Sequence, residues 1–221
     1  MKTETWDYMA SSLVLATIAV LGLAGAALVS HMLTSRYLGG YHVLADAALF
    51  LLFFGVLAAL ACRLILRGGQ LRPGEYAMED PVFRWWKLFT VVYEFGRGAL
   101  LPFTTVFARP LVARLFGAAV GKDVALGGIL VDPQFISIGD EAIIGQDAVI
   151  TAHTITSGVI ILDPVVIGAR ATVGVKVVVM SGVTIGEGAV LTAAAVVPPG
   201  TTIPAAEMWG GVPARKIKDV G

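Results

Sequence analysis

Cysteine is nearly missing from this chain: Cys62 stands alone among 221 residues, so neither an intrachain disulfide nor a multi-cysteine metal site can form. Charge is also scarce. Only 14% of residues are charged, and sixteen acidic side chains cancel sixteen basic ones, which points away from a nucleic-acid partner. Beyond position 42 there is one histidine, His153, too few for a zinc site of three histidine ligands in the second half. No glycine-rich nucleotide motif occurs either. What fills the chain is apolar side chains, 57% of the total, and that balance points toward a membrane.

Residues 12–33 and 43–66 are two apolar stretches, each long enough to cross a hydrocarbon core that needs ~20 helical residues. They predict a transmembrane hairpin. A cleaved signal peptide is the other reading of the first stretch, but Glu4 and Asp7 oppose Lys2 where a signal would be basic. Asp46 and Arg63 stand near the ends of the second span as interfacial anchors, and His31 and His42 flank the loop between the spans. Arg63, Arg67 and Arg72 follow the second span, against Arg36 in the loop and Lys2 before the first, so both termini are expected in the cytoplasm. Gly22 with Ala26 and Gly55 with Ala59 are small pairs that let helices approach in lipid.

Residues 67–78, with Gly68, Gly69, Pro73 and Gly74, read as a linker. Asp80 and Pro81 then open a helix expected to run to about Phe95 and to close at Gly96. Its charged residues Arg84, Lys87 and Glu94 share one face and aromatic or aliphatic residues cover the rest, which suits a membrane interface or packing beneath the next domain. Residues 101–116, interrupted by Pro102 and Pro110, form a second amphipathic piece expected to cap that domain.

From residue 138 to 214 an aliphatic residue returns every sixth position. Ile138, Ile144 and Ile150 form one run; Ile167, Val173, Val179, Ile185, Leu191, Val197, Ile203 and Trp209 form another. Glycine follows directly at 139, 145, 168, 174, 186 and 210, and four places after the aliphatic residue come Ala142, Ala148, Thr154, Ala171, Ala189, Ala195 and other small or β-branched side chains. A period of six fits neither a helix stripe nor a plain alternating strand. It fits a parallel β-helix in which three hexapeptides, eighteen residues, make one triangular coil. The expected domains are a helical hairpin over 1–66, a linker with amphipathic helices over 67–118 and a β-helix over 119–221.

The stretch Val178-Val179-Met180-Ser181-Gly182-Val183-Thr184-Ile185-Gly186 and the exit Gly210-Gly211-Val212-Pro213-Ala214-Arg215-Lys216-Ile217 resemble motifs of the hexapeptide-repeat acyltransferases, whose fold is a left-handed parallel β-helix. Trp85-Trp86, Asp132-Pro133, Ile138-Gly139-Asp140 and Ala152-His153-Thr154 further resemble the terminal domains of poly-lysine-type nonribosomal peptide synthetases. Together these motifs cover about residues 81–218.

The repeat breaks once. Ile150 and Ile167 are seventeen residues apart instead of eighteen, and the slip holds His153. Regular coils are committed to packing, so a distorted wall is where a solenoid carries function. A histidine of ordinary pKa, ~6.5, takes a proton from a hydroxyl or amine at neutral pH. The resemblance implies that role for His153, as general base, with acyl-CoA, acetyl-CoA in the first instance, as donor. Arg170 has the offset from Ile167 that His153 has from Ile150 and is expected one coil above it as a substrate contact. Asp147 or Asp140 would orient the imidazole.

The same resemblance implies a homotrimer with CoA in a groove between subunits, pantetheine passing Ala193, Ala194 and Ala195, and phosphates near Arg215 and Lys216. Thr192-Ala193-Ala194-Ala195 departs from the Gly-Ala-Gly-Ser-like stretch usual there, and the added β-carbons narrow the groove. Three functions compete on this sequence: a CoA-dependent acyltransferase acting on a membrane lipid or lipid-linked acceptor, an amide-forming domain of the peptide-synthetase type, and a trimeric scaffold without catalysis. No metal is required by any of them.

Overall fold

The computed structural model describes residues 4–220, so Lys2, counted above in the charge balance, lies outside the described residues. The chain divides into two compact units, one of residues up to Gln70 with Arg84–Thr104, the other of Leu71–Phe83 with residues from Thr105 onward.

In the first unit, one helical stretch, Thr5–Arg67, is long and apolar enough to cross a membrane by length and composition. Its first part, α1 (Thr5–Val29), starts at a reciprocal cap in which the Glu4 and Asp7 side chains each take the other end's backbone N–H. The regular helix is then interrupted by a π turn at Ser30–Thr34, a single turn α2 (Ser35–Leu38) and a 3-10 turn at Gly39–Tyr41. Gly39, at φ 52, makes the reversal that a side chain would oppose. α3 (His42–Arg67) runs back along α1. A β-carbon at Gly22 would stand 3.4 Å from Phe50, and one at Gly25 3.3 Å from Phe53. Asp46 closes the turn, accepting from Ser30 Oγ (2.7 Å), Thr34 Oγ1 (2.6 Å) and His42 Nδ1 (2.8 Å).

Between these helices and the second unit, residues 67–78 are more than a linker. Gly74–Ala77 is a strand, β1, that enters the second unit's sheets. α4 (Pro81–Leu100) begins where expected, with Asp80 Oδ1 accepting from Val82 N at 2.8 Å, but it passes through Gly96 and ends five residues later than the sequence rule placed it. The reason is packing. Gly96 and Leu100 meet α3 at Gly55, where an added β-carbon would overlap Leu100 and press on the Gly96 carbonyl. Lys87, expected on a polar face, is buried and paired with Asp7 of α1.

Residues 101–116 form a 3-10 turn (Leu101–Phe103) and the short helix α5 (Arg109–Leu115). α5 caps the first coil: Ala113 belongs to the solenoid core, Arg109 Nη1 donates to Gly127 O (2.8 Å) and Arg114 Nε to Val120 O (2.9 Å).

The second unit is a β-solenoid of short strands. In chain order these are β2 (Ala119–Val120), β3 (Ala125–Leu126), β4 (Ile129–Val131), β5 (Ile136–Ile138), β6 (Ile143–Ile144), β7 (Val149–Thr151), β8 (His153–Thr156), β9 (Val159–Leu162) and β10 (Val165–Ile167). There follow β11 (Thr172–Val173), β12 (Val178–Val179), β13 (Thr184–Ile185), β14 (Val190–Leu191), β15 (Val196–Val197), β16 (Thr202–Ile203), β17 (Glu207–Gly210) and β18 (Arg215–Asp219). β2, β5, β10, β13 and β16 stack as one parallel sheet, β3, β6, β11, β14 and β17 as a second, and β4, β7, β12 and β15 as a third. Val166 pairs with Thr184 and Thr184 with Thr202, eighteen residues each time. The six-residue aliphatics from Ile138 to Ile203 are at most 3% exposed, worth roughly 1.5–3 kcal/mol apiece on burial.

The break differs from a one-residue slip. Ser137 pairs with Val166 and Ile150 with Val179, each 29 residues on, so eleven residues beyond a full coil are thrown out of the wall. They form the antiparallel hairpin β8–β9, turned at Ser157 and Gly158 with φ 48 and 83, both left-handed as a two-residue hairpin turn demands. β1 adds to the far side of β9, Glu75 opposite Ile161. Thr154 therefore lies on the hairpin, not on a prism corner.

Candidate active site

His153 is the first residue of β8, at the foot of the hairpin. Its Nδ1 meets Asp132 Oδ2 at 2.5 Å, and Thr151 Oγ1 lies 3.3 Å from the same nitrogen. Asp132 leaves β4 in a left-handed conformation, φ 63 and ψ 59, immediately before the 3-10 turn Pro133–Phe135. An aspartate tolerates that backbone better than most residues do, and the conformation carries the carboxylate inward, 1% exposed against 23% for the imidazole. A carboxylate only accepts, so Nδ1 holds the proton and in the neutral ring Nε2 carries the lone pair. One position on, the Thr154 side chain points to the other face of the strand, and its hydroxyl bonds Ser181 Oγ at 2.7 Å. Ser181 is buried in the next coil, so this bond ties the hairpin to the wall.

The imidazole's partner is therefore Asp132, not the expected Asp147 or Asp140. Asp147 turns a corner at φ 59 and accepts from Gln146 Nε2 at 2.9 Å, while Asp140 Oδ1 accepts from Lys122 N at 2.7 Å. Asp132, the Asp-Pro of a motif, stands six residues before Ile138, but the 3-10 turn Pro133–Phe135 lengthens that coil to twenty residues, so Leu130 takes the inward place that pairs with Ile150 and Asp132 falls outside the repeat. Arg170 is not stacked over His153. Ile167 pairs with Ile138, not Ile150, and Arg170 turns a different corner, its N–H on Asp140 O and its guanidinium on Glu187.

The residues expected to line a CoA groove divide. Ala193 and Ala194 are exposed, whereas Ala195 is fully buried. The Ala194 N–H donates to Val175 O and the Ala195 carbonyl accepts from Val178 N, both at 2.9 Å. Of the three, Ala195 has both backbone groups engaged within the solenoid, its N–H donating to Thr192 O. Arg215 and Lys216 open β18, which pairs antiparallel with β17. Lys216 Nζ is held by Glu207 and Asp219, both at 2.7 Å; the Asp219 and then the Glu207 hydrogen bond raise its pKa. The Lys216 bond first, and that from Trp209 Nε1 next, hold the Glu207 carboxyl below its usual range. Arg215 is exposed, with Nη1 on Ala214 O at 2.9 Å. Among the described residues no cluster of three metal-ligating side chains forms.

Neither a family model nor a curated protein matches the sequence. Solved structures match in fold. A hexapeptide-repeat acetyltransferase of Vibrio cholerae, solved with acetyl coenzyme A, superposes with TM-score 0.52 at 18% identity over 70% of this chain and 98% of its own. A galactoside acetyltransferase in complex with coenzyme A gives 0.52 at 21% identity, over 67% of this chain and 88% of its own. A maltose O-acetyltransferase of Clostridium difficile gives 0.51 at 21% identity, over 69% and 95%. A shorter match to the Vibrio protein spans 64% of its length. The three superpositions above 0.5 show a shared β-solenoid fold.

Proposed function

We propose that this protein is a membrane-tethered acyltransferase that moves an acyl group, acetyl in the simplest case, from CoA to a hydroxyl or amine acceptor. The observation that carries this reading is the buried Asp132 carboxylate on Nδ1 of His153, the one histidine of a hexapeptide solenoid. Nε2 of His153 takes the acceptor's proton as its oxygen or nitrogen attacks the thioester carbonyl. Collapse of the tetrahedral intermediate breaks the C–S bond, and the imidazolium returns the proton to the departing sulfur. Asp132 holds the ring in the working tautomer and offsets its transient positive charge.

The donor is suggested by the fold, since like-folded enzymes are named for acetyl transfer to maltose and to a galactoside, and two were solved with acetyl-CoA or CoA. In this reading the solenoid is left-handed and three chains assemble around shared grooves; exposed Ile129, Ile143, Val166 and Val175 on the solenoid favour such burial. Arg215 meets the CoA phosphates and Ala193 the pantetheine. α1 and α3 cross the bilayer as a two-pass hairpin, with both termini and the solenoid in the cytoplasm, and confine the enzyme to acceptors at the membrane.

An amide-forming activity of the peptide-synthetase type is the second reading, favoured because Asp132-Pro133 and Ala152-His153-Thr154, the segments of that resemblance, hold the paired site residues. An amine-only acceptor range distinguishes it. The deciding experiment incubates full-length protein in mild detergent with acetyl-CoA and panels of sugars, amines and lipid extracts, and follows free thiol. Acceptor-dependent release that His153→Ala abolishes is expected. No release and no calorimetric CoA affinity would sink both readings and leave a scaffold.

A further inference from the structure

β8 is the last strand of its sheet, so one of its edges has no neighbouring strand among the described residues. The bonding phase of the hairpin decides which backbone groups meet that edge. Asp163 N donates to Ala152 O at 2.9 Å, and hydrogen-bonded pairs alternate along an antiparallel ladder, so Thr154 with Ile161 and Thr156 with Val159 bond inward. The N–H and C=O of His153 therefore face the open edge.

Thr151 takes up those two groups. The chain bends at Ala152, where the wall ends and the hairpin begins, and the bend brings the Thr151 side chain over His153. Its Oγ1 lies 3.3 Å from His153 O, 3.4 Å from His153 N and 3.3 Å from His153 Nδ1. The three contacts are mutually consistent. A hydroxyl has one proton and two lone pairs: the proton goes to the His153 carbonyl, and the lone pairs accept from the backbone N–H and from the Nδ1–H that also meets Asp132. Each contact is long for a hydrogen bond, but all three end on one residue. The wall itself asks for no hydroxyl here, since Thr151 pairs with Val131 in the coil before and stands one residue past the Ile150–Val179 pair, in register with Met180 in the coil after.

A ring held at one atom can still swing about it. Asp132 holds the imidazole at Nδ1, and Thr151 ties that same nitrogen to the His153 backbone. We propose that Thr151 is the positioning residue of His153: its hydroxyl fixes the angle of the ring to the strand and helps to keep the proton on Nδ1, so that Nε2 is presented as the base. The assignment rests on the reading of His153 as general base, and it gives Thr151 no contact with the reacting atoms.

The test compares full-length wild type, Thr151→Val and Thr151→Ser in mild detergent. Valine keeps the shape and strand preference of threonine and already occupies the stacked position at Val131, so the first variant removes the hydroxyl and little else. Acyl transfer is followed as free thiol. The ring nitrogens of His153 are followed by nitrogen NMR of isotope-labelled histidine, with signals assigned by their loss in His153→Ala. Thr151→Val should lower kcat about tenfold, the scale of one lost hydrogen bond, with little change in KM, and Thr151→Ser should restore most of it. At a pH where the ring is neutral, the two nitrogen signals should stand far apart in wild type and in Thr151→Ser. They should move toward each other in Thr151→Val as the second tautomer becomes populated. Full kcat in Thr151→Val overturns the proposal, as do equal losses in the valine and serine variants or an unchanged separation of the nitrogen signals. A wild type that releases no thiol with any acceptor would count against acyl transfer, while the NMR comparison still decides the role of Thr151.

Discussion

Asp132 and His153 leave two stacked strands one and two residues beyond the paired Val131 and Thr151, and carboxylate and imidazole meet there at 2.5 Å. The solenoid's own stacking register makes the pair, so altering either side chain leaves the wall intact. His153→Ala is expected to lower turnover by about 10²-fold or more. Asp132→Asn, of equal size and equally tolerant of the left-handed backbone, should give a smaller loss in kcat with little change in KM. Thiol-release kinetics decide it; an Asp132→Asn enzyme of full activity would remove the carboxylate from the mechanism.

Two basic residues begin β18, but they are not equivalent. Lys216 is already neutralised by Glu207 and Asp219, whereas among the described residues Arg215 bonds the Ala214 carbonyl and no carboxylate. Arg215→Glu should weaken CoA binding strongly, and more so at low ionic strength, where screening is least. Lys216→Glu should weaken it less. Calorimetric titration of the two single variants at two salt concentrations measures the difference, and equal losses would contradict the assignment.

The β17–β18 pairing should respond to pH at both extremes. Glu207 has a depressed pKa when folded, so its contribution is present above the unfolded value of ~4.3 and is lost as pH falls through the folded one. Lys216 has a raised pKa, so its contribution is complete below ~10.4 and is lost as pH rises through the folded value. A nitroxide on Lys218→Cys, with Cys62 replaced by Ala, should stay immobile near neutrality and gain mobility in acid. The acid transition should vanish in Glu207→Gln; its persistence there would assign it elsewhere.

Ala194 sits exposed at φ 60, a left-handed backbone that an L side chain opposes. Ala194→Gly should stabilise the solenoid by about 0.5–1 kcal/mol, the left-handed strain relieved less the extra freedom of an unfolded glycine. A raised thermal midpoint for the purified protein is the expected readout, and an unchanged or lowered one counts against it.

The solenoid was legible because nearly every sixth residue from Ile138 to Ile203 does one job, pointing into the prism, and periodicity reports repeated jobs. What escaped was each place where a remote partner outweighs a local rule. Gly96 obeys the needs of Gly55 rather than its own tendency to end a helix. Gly74–Ala77 sits among glycine and proline signals, and its strand exists only because Val159–Leu162 offers an edge. Counting the excursion after Ile150 as a coil placed Arg170 beside His153, when the pairing that decides it is Ile138 with Ile167. His153 stands out in the sequence because the excursion interrupts the count.

The strand that braces the His153 hairpin has a consequence for synthesis. Gly74 pairs with Leu162, 88 residues downstream, so on the ribosome β1 is made long before its partner. At ~5–20 residues per second the wait is roughly 4–18 s, during which the early coils and their α5 cap can stack while an unpaired β edge stays available to neighbouring chains. The hairpin can thus be braced only after the segment that carries Asp132 has been made.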